Sequence, residues 1–207
     1  MRILSKIKKS VPSAIKLLWR IGRHTLQPHP PSREMPSELI SGCRLCASRY
    51  ELVGLLPKGG RVIEVGTQRG VFARHILAVN EPAELHLVDL DCSELDQQLR
   101  RDPRVAIHQG ASRDVLLSFP DAHFDWVYID AGHDYESVTS DAEAAADKVK
   151  PGGFLVFDDF AHTDLSFGRY GVHRAVTDFA RDRHWSFAWF ALASNALYNV
   201  ALQRPAE

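Results

Sequence analysis

Five carboxylates stand at or near the ends of short apolar segments that are typical of buried strands. Parallel sheets bind ligands at the carboxyl ends of their strands, so acids at these positions point to binding or catalysis. The five residues are Glu64, Asp89, Asp130, Asp158 and Asp159.

Asp130, Asp158 and Asp159 are predicted to meet in one crevice, because the two strands that they end should be neighbours. Three carboxylates in one crevice repel each other strongly unless a cation lies among them. Oxygen ligands of this kind suit Mg²⁺ or another hard divalent ion. The plainer interpretation is that Asp158 and Asp159 only cap a loop.

His133 follows Asp130 by three residues. An imidazole beside an acidic cluster can act as a general base or as a further metal ligand. A histidine in a loop can equally be only solvated, and the residues alone leave these interpretations open.

A glycine turn joins the first predicted strand to the helix that follows it, with the sequence Glu64-Val-Gly66-Thr-Gln-Arg-Gly70. Glycines let a ligand approach the backbone closely, and the start of a helix supplies free N–H donors. The spacing differs from the Gly-x-Gly-x-x-Gly fingerprint, which counts against a dinucleotide-dependent oxidoreductase. The alternative is a turn that merely needs two glycines.

Asp89 ends the second predicted strand, where a carboxylate can accept hydrogen bonds from both hydroxyls of a ribose. After the third predicted strand come Gly110, Ala111 and Ser112, which offer a floor of small residues for a base ring. Each of the two segments could instead only begin a helix. The glycine turn and Asp89 together are more specific than either feature alone.

The elements that would position these residues alternate between strand and helix, which predicts an α/β fold with a mostly parallel sheet covered on both faces. Helices are predicted over 37–55, 70–79, 93–101, 114–119, 137–149 and 172–182. Seven strands are predicted over 61–65, 84–89, 105–108, 124–130, 154–157, 186–191 and 197–203, with a Pro-Gly-Gly turn at 151–153. The last two strands have no helix between them and should be antiparallel to each other.

Charge divides the chain of 207 residues into two parts, although its net charge is only −1. Residues 1–33 carry eight Lys and Arg and no acid, so the remainder is acidic. We therefore predict an arm and linker over 1–36 and a folded domain over 37–207. Residues 1–24 have the pattern of an amphipathic helix, interrupted by Pro12, and four prolines follow within 28–36.

The arm has three interpretations: a lid or dimer contact, a peripheral contact with anionic lipid, or a disordered tail. No apolar run is long enough to span a membrane, and the near-neutral total argues against a nucleic-acid partner. The three cysteines, an odd and low count, indicate a reducing compartment, so we expect a cytoplasmic protein. Cys43 and Cys46 have metal-ligand spacing but no second pair, and are expected to be ordinary thiols.

These motifs resemble those of class I S-adenosylmethionine-dependent methyltransferases over about residues 48–203, including the Lys-Pro-Gly-Gly turn at 150–153. Asp130 with Asp158-Asp159 is similar to the metal-dependent catechol-type O-methyltransferases. The segment 129–136, Ile-Asp-x-x-His-x-Tyr-Glu, is closer to small bacterial sugar and natural-product O-methyltransferases. The resemblance implies a Rossmann-like, doubly wound sheet.

The resemblance also implies roles for the residues around an S-adenosylmethionine cofactor. Gly66 and Gly70 would flank its methionine part with Glu64 nearby, and Asp89 would hold its ribose. The remaining cofactor contacts would be Gly110, Ala111, Ser112 and Asp130, with Arg113 near the adenine.

The metal Mg²⁺, or another divalent cation, would bind Asp130, Asp158 and Asp159. Where the catechol enzymes have a lysine base, this sequence has His133, and where they have Asp-Asn it has Asp158-Asp159. The implied activity is methyl transfer to a hydroxyl of a small molecule, a sugar or natural product. The alternatives are a metal-independent enzyme of the same fold and a non-catalytic membrane-surface protein.

The substrate walls are expected from the loop 160–171 and from the arm or residues 37–50. The aromatic side chains of that loop are Phe160, His162, Phe167 and Tyr170.

Overall fold

The computed structural model describes residues 32–164 and 168–206. The predicted helical arm, residues 28–31 of the proline-rich linker and Phe167 lie outside these ranges. No described helix is both long and apolar enough to cross a membrane.

Strands and helices alternate along the described chain as predicted. The helices are α1 (Ser37–Ile40), α2 (Arg49–Leu55), α3 (Val71–Val79), α4 (Gln97–Arg101), α5 (Ser112–Leu117), α6 (Tyr135–Ala146) and α7 (Val172–Arg183). The strands are β1 (Arg44–Cys46), β2 (Arg61–Val65), β3 (Glu84–Asp89), β4 (Val105–Gln109), β5 (Phe124–Ile129), β6 (Val149–Phe160), β7 (Thr163–Asp164), β8 (Gly168–Arg169), β9 (Ser186–Ala191) and β10 (Tyr198–Gln203).

Eight of the described strands form one sheet in the order β1-β9-β10-β6-β5-β2-β3-β4. The pairs β2–β3, β2–β5, β3–β4, β5–β6 and β1–β9 are parallel. Strand β10 runs antiparallel to both β6 and β9. The predicted mostly parallel sheet and its antiparallel C-terminal pair are therefore confirmed. The carboxyl ends of five strands therefore lie along the same edge of the sheet: β2, β3, β4, β5 and β6. The five acids identified in the sequence are at or near this edge.

The core has two layers because successive side chains of a strand point to opposite faces of the sheet. On β5, Val127 and Ile129 pack on the face that α6 and α7 cover. Trp126 and Tyr128 pack on the other face, with residues of α2, α3 and α4. Helices on both faces shield the apolar strands from water, which confirms the doubly wound arrangement.

Two element predictions were wrong. The single helix over 37–55 is replaced by α1, β1 and α2, so the main sheet gains an eighth strand at its edge. The register of β1 pairs Leu45 with Phe190, a contact between residues far apart in the chain. The predicted turn at 151–153 instead lies within β6, where Gly152 adopts a φ of +76° and the pairing with β5 is irregular.

Candidate functional site

A cavity of about 510 Å³ opens above the carboxyl ends of β2, β3 and β4. The backbone of Gly66 forms part of its wall, with a φ of +93° that favours glycine. A side chain at this position would also collide with β5, since a Cβ atom would lie 1.9 Å from the carbonyl oxygen of Asp130. The glycine at Gly66 therefore allows the turn after β2 to approach the end of β5 closely.

Asp89 lines the same cavity at the end of β3. Its Oδ2 accepts a hydrogen bond of 2.7 Å from the backbone N–H of Gln68, which lies in the glycine turn. Its Oδ1 accepts a longer bond, 3.2 Å, from the backbone N–H of Asp91. These two bonds fix the carboxylate at the rim of the cavity while leaving lone pairs for a ligand.

The far wall of the cavity is formed by Gly110, Ala111 and Ser112 at the start of α5. The hydroxyl of Ser112 donates a 2.6 Å hydrogen bond to Oδ1 of Asp141, which projects from α6. Asp141 is 4% exposed, and burial raises the pKa of its carboxyl. Asp141 was not predicted from the sequence, although an acid on the buried face of a helix indicates a functional or hydrogen-bonded group.

Glu64 and Gly70 do not line either of the two cavities at this edge of the sheet. Glu64 is buried, accepts a 2.6 Å hydrogen bond from the Thr67 hydroxyl, and has its pKa raised to about 8 by burial. Gly70 is the N-cap residue of α3 and has a φ of +77°, and a Cβ atom there would lie 2.1 Å from Leu99 Cδ1. Both residues therefore stabilise the glycine turn from positions outside the two cavities.

A second cavity, of about 910 Å³, lies beside the first and shares Gln68, Asp130 and Ala131 with it. Its walls include Asp158, Asp159, His133 and Tyr170 from the predicted residues. A ligand in the first cavity can therefore present a reactive group to a ligand in the second, at Asp130.

Arg49 places its guanidinium group between two of the clustered acids. Its Nη1 lies 3.1 Å from Asp158 Oδ2 and 3.7 Å from Asp130 Oδ2. Arg49 begins α2, directly after the N-cap residue Ser48, which accepts a hydrogen bond from the backbone N–H of Glu51. The sequence analysis missed Arg49, because it assigned this segment to the middle of one long helix.

Two further side chains donate hydrogen bonds to Asp158. Its Oδ1 accepts a hydrogen bond of 2.9 Å from the Tyr128 hydroxyl and another from the Asn199 side-chain amide. Burial raises the pKa of Asp130 and of Asp159, and the neighbouring carboxylate of Asp158 raises both further. Asp130 and Asp159 therefore ionise less readily than free carboxyls, and they lie in one cluster with the permanent positive charge of Arg49.

The three acids do not fit a divalent ion. Asp130, Asp158 and Asp159 do not bring one oxygen each within 4.8 Å of one another, as a shared ion would require. The side chain of Arg49 already supplies a positive charge to Asp130 and Asp158, and Asp158 accepts from three donors. The carboxylate repulsion that predicted a metal is relieved by the guanidinium instead.

His133 lies on the other side of the same acids. Its Nε2 is 3.3 Å from Asp159 Oδ2 and 3.7 Å from Asp130 Oδ1. Nε2 is nevertheless buried without an aligned hydrogen bond to any described residue. The ring stacks on Tyr170, with centroids 4.6 Å apart and planes 9° apart. The carboxylate of Asp130 raises the pKa of His133, and burial opposes this increase.

The walls of the larger cavity differ in part from the prediction. Tyr170 and residues 47–50 contribute as expected. Phe160 and His162 do not line it. The Phe160 ring packs against Phe187, and the ring centroids of His162 and His173 are 4.1 Å apart. The turn between β9 and β10 supplies the opposite wall, which the sequence analysis did not assign to the site. That wall consists of Leu192, Ala193, Ser194, Asn195 and Leu197.

A family model described as a methyltransferase domain matches residues 63–160. No curated protein sequence matches the chain. Among solved structures, an O-methyltransferase family protein from Burkholderia thailandensis is similar with a TM-score of 0.59 and 16% identity. That similarity covers 76% of this chain but only 55% of the Burkholderia chain, so this chain spans little more than half of it.

Two further solved structures are similar over most of their own length. The N-methyltransferase NodS from Bradyrhizobium japonicum WM9 has a TM-score of 0.57 and 15% identity, covering 76% of this chain and 93% of NodS. An S-adenosylmethionine-dependent methyltransferase from Aquifex aeolicus has a TM-score of 0.58 and 14% identity. The similarity covers 75% of this chain and 89% of the Aquifex chain. At these identities the similarity shows the fold alone.

The position of Arg49 predicts a pH-dependent loss of stability when its charge is removed. We expect Arg49→Gln to lower the free energy of unfolding by roughly 1–3 kcal/mol near neutral pH, because buried carboxylates lose their cation. The loss should shrink as the pH falls, since protonated carboxyls no longer need that cation. Urea unfolding at several pH values measures this loss of stability.

Arg69→Gln, which breaks an exposed pair with Glu94, is the matched control and should lower the free energy of unfolding by less than about 1 kcal/mol. An Arg49→Gln loss that does not vary with pH would contradict this account.

Proposed function

We propose that this chain, which resembles class I S-adenosylmethionine-dependent methyltransferases in fold and in its match to a methyltransferase-domain model, transfers a methyl group to a hydroxyl of a small polar molecule. The fold and the family model agree with the resemblance stated from the sequence.

The observation that carries the proposal is the meeting of two cavities at Asp130 and Ala131. The smaller cavity has the features that a nucleoside cofactor needs. These are a close backbone approach at Gly66, a fixed carboxylate at Asp89 and a floor of small residues at Gly110 and Ala111. We assign S-adenosylmethionine to it, with Asp89 accepting from the ribose hydroxyls. A sulfonium methyl at the shared wall would then face the larger cavity.

The larger cavity suits a hydroxylated substrate. Its walls carry hydroxyl and amide groups, including Ser48, Ser194, Asn195 and Asn199. Such groups can donate to and accept from sugar hydroxyls in addition to the bonds that Ser48, Asn195 and Asn199 make within the chain. We therefore favour a sugar or a polyhydroxylated natural product as the acceptor.

His133 is proposed as the base that accepts the proton from the attacking hydroxyl. Its Nε2 lies at the acidic cluster without an aligned hydrogen bond among the described residues, so a substrate hydroxyl can take that place. Asp130 and Asp159 on either side stabilise the imidazolium that forms. The oxygen attacks the methyl carbon while the carbon–sulfur bond breaks, which releases S-adenosylhomocysteine. Positioning of the oxygen in line with the methyl supplies the rest of the rate enhancement.

We propose further that this transfer does not use Mg²⁺. The guanidinium of Arg49 occupies the electrostatic role that a divalent ion has in catechol-type enzymes, and it engages Asp158 and Asp130 directly. No step of the mechanism is assigned to a metal.

Asp89 tests the cofactor assignment. We expect Asp89→Ala to weaken S-adenosylhomocysteine binding by about 10–100-fold, because hydrogen bonds to a charged group contribute about 1.5–3 kcal/mol. Isothermal titration calorimetry measures the affinity. Asp91→Ala, which removes a nearby exposed carboxylate that accepts from the backbone N–H of Ser93, is the control and should bind normally. Equal affinities in the two variants, or preferential binding of NAD, would reject the assignment.

His133 tests the mechanism. We expect His133→Gln to reduce turnover by about 10²–10⁴-fold, the usual contribution of a general base, with unchanged S-adenosylhomocysteine affinity. In the unmodified protein turnover should rise with pH through the pKa of His133. Because that pKa is raised, the midpoint should lie above about 6.5. The assay uses labelled cofactor and an acceptor found by screening hydroxylated compounds. A His133→Gln enzyme with full turnover and the same pH profile would rule out this base.

Mg²⁺ titration tests the third part of the proposal. We expect the initial rate of chelator-treated protein to stay constant as Mg²⁺ is added, because Arg49 already offsets the charge of the acids. The rate is measured with the same labelled cofactor in metal-free buffer. A saturable rise of the rate with Mg²⁺ would contradict metal-independent transfer without touching the cofactor assignment.

A further inference from the structure

A cluster of histidines lies outside both cavities, beside the amino ends of β3 and β5. Glu84 is the first residue of β3, and His86 follows on the same face two positions later. His123 directly precedes β5, and His108 is on β4. None of these residues takes part in the proposed methyl transfer.

Three of these side chains come together in the geometry of a metal site. Glu84, His86 and His123 each offer one ligand atom, and these atoms all lie within 4.8 Å of one another. Glu84 Oε2 is 3.5 Å from His86 Nε2, and the rings of His86 and His123 are 6.0 Å apart at their centroids. A single ion bonded to all three atoms is compatible with these separations.

His86 supplies an independent observation. The residue is only 9% exposed, and its Nε2 is buried without a hydrogen-bond partner among the described residues. An unpaired polar atom in such a place costs free energy unless a partner binds there. Nε2 lies 3.5 Å from Oε2 of Glu84, which belongs to the same group of three side chains.

The surrounding contacts prepare His86 and Glu84 for this role. His86 Nδ1 lies 3.0 Å from His108 Nε2, so a proton on Nδ1 that is donated to His108 leaves a lone pair on Nε2. Histidines that bind metals commonly donate their second ring N–H to a neighbour in this way. Arg61 Nε donates to Glu84 Oε1 at 3.3 Å, which orients the carboxylate and leaves Oε2 for a ligand.

We propose that Glu84, His86 and His123 bind a transition-metal ion of the Zn²⁺ type. Two imidazoles and one carboxylate are a common ligand set for Zn²⁺, whereas Mg²⁺ and Ca²⁺ prefer oxygen ligands alone. Glu84 is half exposed, so solvent can provide the fourth ligand. The ion would connect β3 to the residue before β5 across β2, which makes its role one of stability.

Calorimetric titration of the untagged full chain with ZnCl₂ tests this proposal, at about pH 8 where an imidazole of ordinary pKa is neutral. We expect one Zn²⁺ per chain, and at least a tenfold loss of affinity in both Glu84→Gln and His123→Gln. The matched controls are Glu94→Gln, which also breaks an exposed pair with an arginine, and His184→Gln, which removes an exposed histidine. Both controls should bind as the unmodified chain does.

Thermal unfolding gives a second readout that does not depend on activity. Zn²⁺ should raise the Tm of the unmodified chain and of both controls, and leave the Tm of Glu84→Gln and His123→Gln unchanged. Because Glu84 is exposed, its variant is expected to fold, and it decides the question if His123→Gln does not. Absence of saturable binding, or equal affinity in all five proteins, would overturn the proposal. A thiolate charge-transfer band with Co²⁺ would overturn it too, by placing the metal at Cys43 and Cys46.

Discussion

The burial of carboxylates at one edge of the sheet is the constraint on which the site depends. Asp130 and Asp158 come from the ends of neighbouring parallel strands, so the topology brings their charges together regardless of what binds there. Arg49 offsets that charge from one side, and His133 lies on the other side, within 3.7 Å of Asp130 and Asp159. The same arrangement that makes the cluster tolerable in the folded state also gives His133 its neighbouring anions and keeps its Nε2 available.

The second constraint is the close contact between the turn after β2 and the end of β5. Gly66 has no side chain, and the backbone N–H of Asp130 donates to the carbonyl of Val65 at 2.8 Å. This contact makes Asp130 and Ala131 part of both cavities. The distance between the two cavities is thereby set by the backbone of the sheet, which is stiffer than a contact between long side chains.

The sequence predicted the parts of the fold that depend on local patterns. The strands β2, β3 and β5 are apolar runs that end in acids, and their order along the chain was sufficient for the parallel sheet. Strand β1 could not be read, because three residues that form a strand only beside β9 carry no local signal. The role of Gly70 was equally hidden, since its neighbours Leu95 and Leu99 lie on a later segment. Arg49 and Asp141 both act on groups that are distant in the chain: Arg49 on Asp130 and Asp158, and Asp141 on Ser112.

The edge strand β1 has a consequence for the order in which the molecule is assembled. β1 pairs with β9, and α2 follows β1 directly, so Arg49 reaches the acids from a segment whose strand partner lies near the other end of the chain. Asn199, the amide donor to Asp158, is on β10. Closing a loop of this length has an entropic cost that only the completed contacts repay. A nascent chain that ends before β9 therefore contains the acids, the glycine turn and Arg49, but it lacks Asn199 and the strand with which β1 pairs. The hairpin of β9 and β10 thus supplies a hydrogen-bond donor to Asp158 and also one wall of the larger cavity.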